Sequence, residues 1–164
     1  MTGALSLTSP SHMLAKLDHE MDAFDSDVTN SYAAINVLRD AYHLREWIWH
    51  TRLEHNSSLL TQIIGRSGVE SDWNSWVNTQ HPEFKIVREI CNGSKHFELD
   101  NVGLIIRYKT AGLNGNMGLS RGFKLNDAGD YIDTAAQTDR SVRDIAQDVQ
   151  RFWHDLTNRF PALK

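Results

Sequence analysis

Ala33-Ala-Ile-Asn-Val-Leu-Arg-Asp-Ala-Tyr-His-Leu-Arg-Glu-Trp-Ile-Trp-His50 is the stretch on which the fold turns. Ile35, Leu38, Tyr42, Trp49 and then Leu53 fall on one helical stripe, and Val37, Ala41, Leu44 and Ile48 widen it over most of the circumference. A helix that is apolar on nearly all sides has to be covered by its neighbours. This segment, read as running from about Val28 to His55, is therefore expected to be the central helix of a bundle.

The flanking segments supply those neighbours. Ser9 is a good N-cap and Pro10 suits the first helical position, and Leu14, Leu17, Met21 and Phe24 follow at three- and four-residue spacing up to Asp25-Ser26-Asp27. On the other side, His55-Asn56-Ser57-Ser58 breaks the pattern. A short apolar segment (Leu59, Leu60, Ile63, Ile64) then leads to a turn bracketed by Gly65 and Gly68. Trp73, Trp76 and Val77 mark a brief helix. His81-Pro82-Glu83 restarts another, with Phe84, Val87 and Cys91 on one face and an end between Asn92 and His96.

From 97 to 134 the pattern changes. Val102 to Lys109, Phe123 to Leu125 and Tyr131 to Asp133 are strand-like, and Gly112, Gly115 and Gly118 punctuate a long turn. No helix follows those glycines, so they mark a hairpin end and not a phosphate cradle. The last helix is the clearest: Thr138 or Asp139 caps a stripe of Val142, Ile145, Val149, Phe152, Leu156 and Phe160, and Pro161 stops it. The expected architecture is mainly α, a helical bundle of four to five helices with a small antiparallel β-hairpin or meander inserted before the C-terminal helix. It is read as one domain over 1–164, with a loose leader at 1–9, the β insertion at 97–134 and the final helix at 138–160.

Composition narrows the function. A chain of 164 residues, 40% hydrophobic, can bury one core, and a net charge of −4 excludes the broadly basic surface that wraps duplex nucleic acid. Cys91 is the sole cysteine, which rules out an intrachain disulfide and a thiolate-rich zinc site. The polar N-terminus lacks a secretory pattern and no apolar run spans a bilayer, so a cytoplasmic protein that does not enter a membrane is expected.

Two segments place titratable residues among aromatic ones. His43, Glu46, Trp47 and His50 fall at i, i+3, i+4 and i+7, a polar strip on a helix otherwise committed to burial. In the later helix Glu89, Asn92 and His96 share one face, with Arg88, Asn92 and Lys95 on an adjoining one. If the two helices pack antiparallel, the strips meet. A histidine titrating near neutrality can move a proton while an arginine or lysine stabilises developing negative charge, so Arg88, Lys95 and His96, with His50, are the candidate catalytic set. Asn92, His43, Glu46 and Trp47 are the candidate substrate contacts.

Three structural readings compete with that one. His43 and His50 can be core histidines bonded to Glu46, Lys95-His96 can simply complement a helix C-terminus, and the tryptophans and Cys91 can be core residues. A metal site built from His43, Glu46, His50 and His96 is a further alternative, although no His-Glu-x-x-His or paired Glu-x-x-His pattern is present. No cofactor is expected.

His43-Leu44, Trp47 and Trp49-His50, followed by Val87-Arg88-Glu89-Ile90 and Asn92-Gly93-Ser94-Lys95-His96-Phe97, resemble a group of uncharacterised bacterial proteins with His-Leu-x-x-Trp and Asn-x-x-Lys-His motifs. The position before the first tryptophan, often aspartate in that group, is Glu46 here. More distantly the chain resembles HEPN domains, helical bundles that often dimerise and, when catalytic, cut RNA without a metal through an Arg-x4-6-His motif. Arg45 and His50 have that spacing, whereas seven residues separate Arg88 from His96. The resemblance implies a homodimer that binds or cleaves RNA, in bacterial defence or beside an antitoxin partner. The alternative function is a non-catalytic protein-interaction domain whose buried polar cluster fixes helix register.

Overall fold

The computed structural model describes residues 7–96, 104–109, 129–134 and 137–164. Among them are six α-helices, more than the four to five expected: α1 (Pro10–Ser26), α2 (Ser31–Ile48), α3 (Ser57–Ile64), α4 (Glu70–Gln80), α5 (Glu83–His96) and α6 (Val142–Arg159). The additional helix is α3, which sequence reading left as a short apolar segment. Asn56 caps it by accepting the Leu59 amide at 3.0 Å, and Gly65 ends it at φ 78°, a left-handed conformation that costs glycine little.

Local chemistry also resets three boundaries. α2 begins at Ser31 and not near Val28, because the Asn30 side chain accepts the amides of Tyr32 and Ala33. It does not continue as an α-helix to His55 but passes at Trp49–Leu53 into one wider π turn, closed by the Glu54 amide on the Trp49 carbonyl at 2.9 Å. α6 starts at Val142 and not at Thr138 or Asp139; Ser141 caps it by accepting the Asp144 amide at 3.0 Å. At the start of the chain, Ser9 and Pro10 cap α1 as expected, and Leu7 packs against the core. The expected leader is thus anchored from residue 7, and its residues 1–6 lie outside the described residues.

Between α5 and α6 the backbone forms β1 (Leu104–Lys109), β2 (Gly129–Thr134) and β3 (Gln137–Ser141), antiparallel in the order β1-β2-β3. Leu104 is opposite Thr134 and Lys109 opposite Gly129. β3 occupies the residues expected to open the last helix. The expected strand at Phe123 to Leu125 and the glycine-rich turn from Gly112 to Gly118 lie outside the described residues.

α2 is the central helix: α1, α5 and α6 all pack on it, and α4 packs on α5. Val37, Ala41, Leu44 and Ile48 of α2 are fully buried with Leu17, Trp73, Val77, Phe84, Val87, Ile145, Val149 and Trp153. Two indoles fasten the surrounding helices to α2. Trp153 Nε1 donates to the Ala41 carbonyl at 2.9 Å and Trp73 Nε1 to the Arg45 carbonyl at 3.1 Å, one helical turn further along. A buried indole requires an acceptor, and here two successive turns of one helix supply it. A buried acid crosses α2 to α1, where Lys16 bonds both Asp40 and Glu20. Burial works against the Lys16 charge, but the Asp40 and Glu20 carboxylates outweigh it and hold the ammonium above its usual range.

Candidate functional site

The polar strip of α2 faces outward, so its histidines are not the core residues of the structural alternative. His43 Nδ1 lies 3.1 Å from Glu46 Oε2, with the two side chains 43% and 42% exposed. The His43 ring meets Tyr42 edge-on at 5.8 Å, and Trp47 is half-buried against the core. His50 is exposed and pairs with Glu54, not Glu46, at 3.1 Å. Sequence reading missed Glu54, although its i+4 spacing from His50 was there to be used. The Glu54 hydrogen bond holds the imidazole above its ordinary range, and the fields of Glu54, Glu70 and Glu46 add to it.

Arg45 points the other way. It is 6% exposed, its guanidinium sits 4.5 Å from the Tyr42 ring centroid, and its Nε finds no acceptor among the described residues. The Arg45 and His50 pair is thus split between the interior and the surface, five residues apart on either side of the entry into the π turn.

α5 packs on α2. Phe84 and Val87 are buried on its inner face and Arg88 is exposed on its outer one. Burial pushes the Cys91 thiol up to about 12, with Arg39 opposing and Asp40 adding to the effect, so Cys91 is no nucleophile at neutral pH. The backbone of α5 stays helical to His96, which puts Lys95 and His96 in its last turn. The side chains of Asn92, Lys95 and His96, and so the expected meeting of His96 with His50, lie outside the described residues.

Among the described residues no three side chains of metal-binding type converge. His43 and Glu46 hold each other and His50 holds Glu54, so the expected His43, Glu46 and His50 ligand set does not assemble there. No helix among the described residues is long and apolar enough to cross a membrane.

Sequence reading also missed a groove of 270 Å³ between the end of α4 and the outer face of α6. Trp76, Gln80 and His81 form one wall, and Arg151, Asp155 and Arg159 line the other at four-residue spacing. His81 Nδ1 lies 3.0 Å from Glu83, and its ring stands edge-on to Phe84 and Phe152 at 5.8 and 5.5 Å. The i, i+4, i+8 spacing was visible on the polar face of α6, but nothing in one sequence shows what such a face looks onto.

No known protein family, curated protein or solved structure matches this chain.

Proposed function

We propose that this chain is an HEPN-like helical domain, working as a cytoplasmic homodimer, that binds or cleaves RNA in bacterial defence or a toxin-antitoxin-like system. In this reading the working end is α5, where Arg88 neutralises phosphate and Lys95 and His96 handle charge and proton, with Asn92 orienting the substrate. The observation that carries this choice is the contrast between the two arginines: Arg88 reaches solvent, whereas Arg45 is sunk in the core. A buried guanidinium on an aromatic ring stabilises packing and cannot approach a phosphodiester. His50, ringed by acids, is left with a secondary role. β1 to β3 follow α5 in the chain, and β2 and β3 pack on α6.

The test is cleavage of labelled single-stranded RNA in EDTA. The wild type and His50→Ala are expected to cut, while Arg88→Ala and His96→Ala lose activity with unchanged melting transitions. Loss on His50→Ala alone would overturn the choice of α5, and no cleavage or retention of RNA by the wild type would overturn the RNA reading.

A second reading, the non-catalytic interaction domain, draws support from the same strip. His43 and His50 already hold carboxylates, and Glu46, Glu54 and Glu70 surround His50 with negative charge that repels a phosphate backbone. On that reading the paired groups set helix register and the partner is a protein.

A further inference from the structure

The groove between α4 and α6 lies apart from the α5 end and is used by neither reading. One of its walls is an aromatic plane. Trp76 stacks on the fully buried Trp73, with ring centroids 5.6 Å apart and planes 15° from parallel. The Trp76 indole is thereby held flat against the core, and Trp76 lines the groove. The opposite wall is a ladder of charge on α6. Arg151 and Arg159 are eight residues apart, about 12 Å along the axis, with Asp155 midway. Arg151 is tied to Asp148 at 3.3 Å, whereas Arg159 is exposed and lies 5.3 Å from the Phe160 ring. A volume of 270 Å³ sits just under the ~300 Å³ at which pockets for drug-sized molecules begin.

A rigid π face, a guanidinium at one end and a carboxylate between them suit a ligand with three parts: a flat ring, a group with donor hydrogens, and an anion. We propose that this groove is a nucleotide-binding site, with a nucleobase stacked on Trp76, ribose or base donors given to Asp155, and the phosphate held by Arg159. Stacking on a fixed indole and a charge-assisted contact to one guanidinium are together enough for selective but weak binding. The nucleotide is either free or one unit of a single strand. In the second case the groove extends the proposed RNA function, but its binding is read without any cleavage.

The experiment follows the Trp76 indole resonance by NMR in the full chain during addition of UMP, AMP, ribose 5-phosphate, inorganic phosphate and a uridine hexanucleotide. UMP or AMP is expected to shift it, and ribose 5-phosphate and phosphate are not. Tighter binding of the hexanucleotide than of UMP assigns the site to a strand, and weaker binding assigns it to free nucleotides. Arg159→Gln should weaken binding about tenfold. Trp76→Leu, followed through backbone amides of α6, should weaken it about fivefold or more, the loss of one base stack. Arg143→Gln, which removes a surface cation placed in neither site, should leave it unchanged. The proposal fails if neither mononucleotide shifts the indole at about 10 mM, tenfold above a ~1 mM Kd. An equal response to inorganic phosphate, or unaltered affinity in Arg159→Gln, also overturns it.

Discussion

Replacing Trp153 with phenylalanine keeps an aromatic ring in the core and removes two things. The indole N–H no longer reaches the Ala41 carbonyl, and the space of the second ring is vacated in a side chain that is fully buried. A net intramolecular hydrogen bond is worth about 1 kcal/mol. Ala41 also accepts an amide within α2, so its carbonyl keeps one partner and the cost stays at that level. The vacated ring volume adds roughly 1–2 kcal/mol, since cavities cost about 24 cal/mol per Å³ and the ring contacts to Phe84, Phe152 and Trp73 loosen. The sum, about 2–3 kcal/mol, is a large share of the ~5–15 kcal/mol that holds a domain together. Urea unfolding followed by far-UV circular dichroism should show the unfolding free energy falling by that amount through a lower midpoint at unchanged m, with Tm lowered by roughly 5–10 °C. A variant within about 0.5 kcal/mol of the wild type, the scatter of ordinary surface changes, would refute the claim that this indole fastens α6 to α2.

Three further outcomes rest on single contacts. The His50 imidazole should titrate above 6.5 in an NMR pH series and return toward 6.5 in Glu54→Gln; because the folded value is the raised one, the pairing favours the folded state at acid pH and its contribution fades as pH rises through the folded pKa. Cys91 should resist a thiol reagent at pH 8 in the native protein and react at once in guanidinium chloride, and rapid native labelling would contradict a thiol pushed up to about 12. Gly68→Ala should destabilise by about 1–2 kcal/mol in a thermal melt, since a Cβ would meet the Asp72 carboxylate at 2.8 Å and displace the cap that it gives the Val69 amide; an unchanged Tm would show that the turn yields freely.

Helix existence was legible wherever apolar spacing was sustained. The stripe from Leu14 to Phe24, most of the broad apolar surface of α2 and most of the run from Val142 to Leu156 became core, with Ile35, Tyr42 and Phe152 half-buried. Boundaries failed where one polar side chain decided them, as Asn30 and Ser141 do, because several neighbouring residues could have capped equally well. The polar strip was read correctly as a strip, but its pairing was assigned by ideal helical spacing. His50 took Glu54, four residues on, and not Glu46, four residues back; both stand at helical spacing, so spacing alone did not choose between them. Arg45 shows the limit most clearly: its sequence neighbours suggested a catalytic partner five residues on, and only the packing of α2 among its neighbours reveals that it faces inward. The α4–α6 groove was illegible for the same reason, since two segments about seventy residues apart make it.

The wide turn at Trp49–Leu53 takes up one more residue than an ordinary helical turn, so the chain beyond it leaves with the phase that a regular helix one residue shorter would give it. Removing a single residue there would turn the wide turn into an ordinary one and leave the downstream chain close to its present bearing. In the flanking coils of α2 each residue lost would instead rotate everything downstream by about 100°. This short passage should therefore accept the loss of one residue more readily than the helix that leads into it.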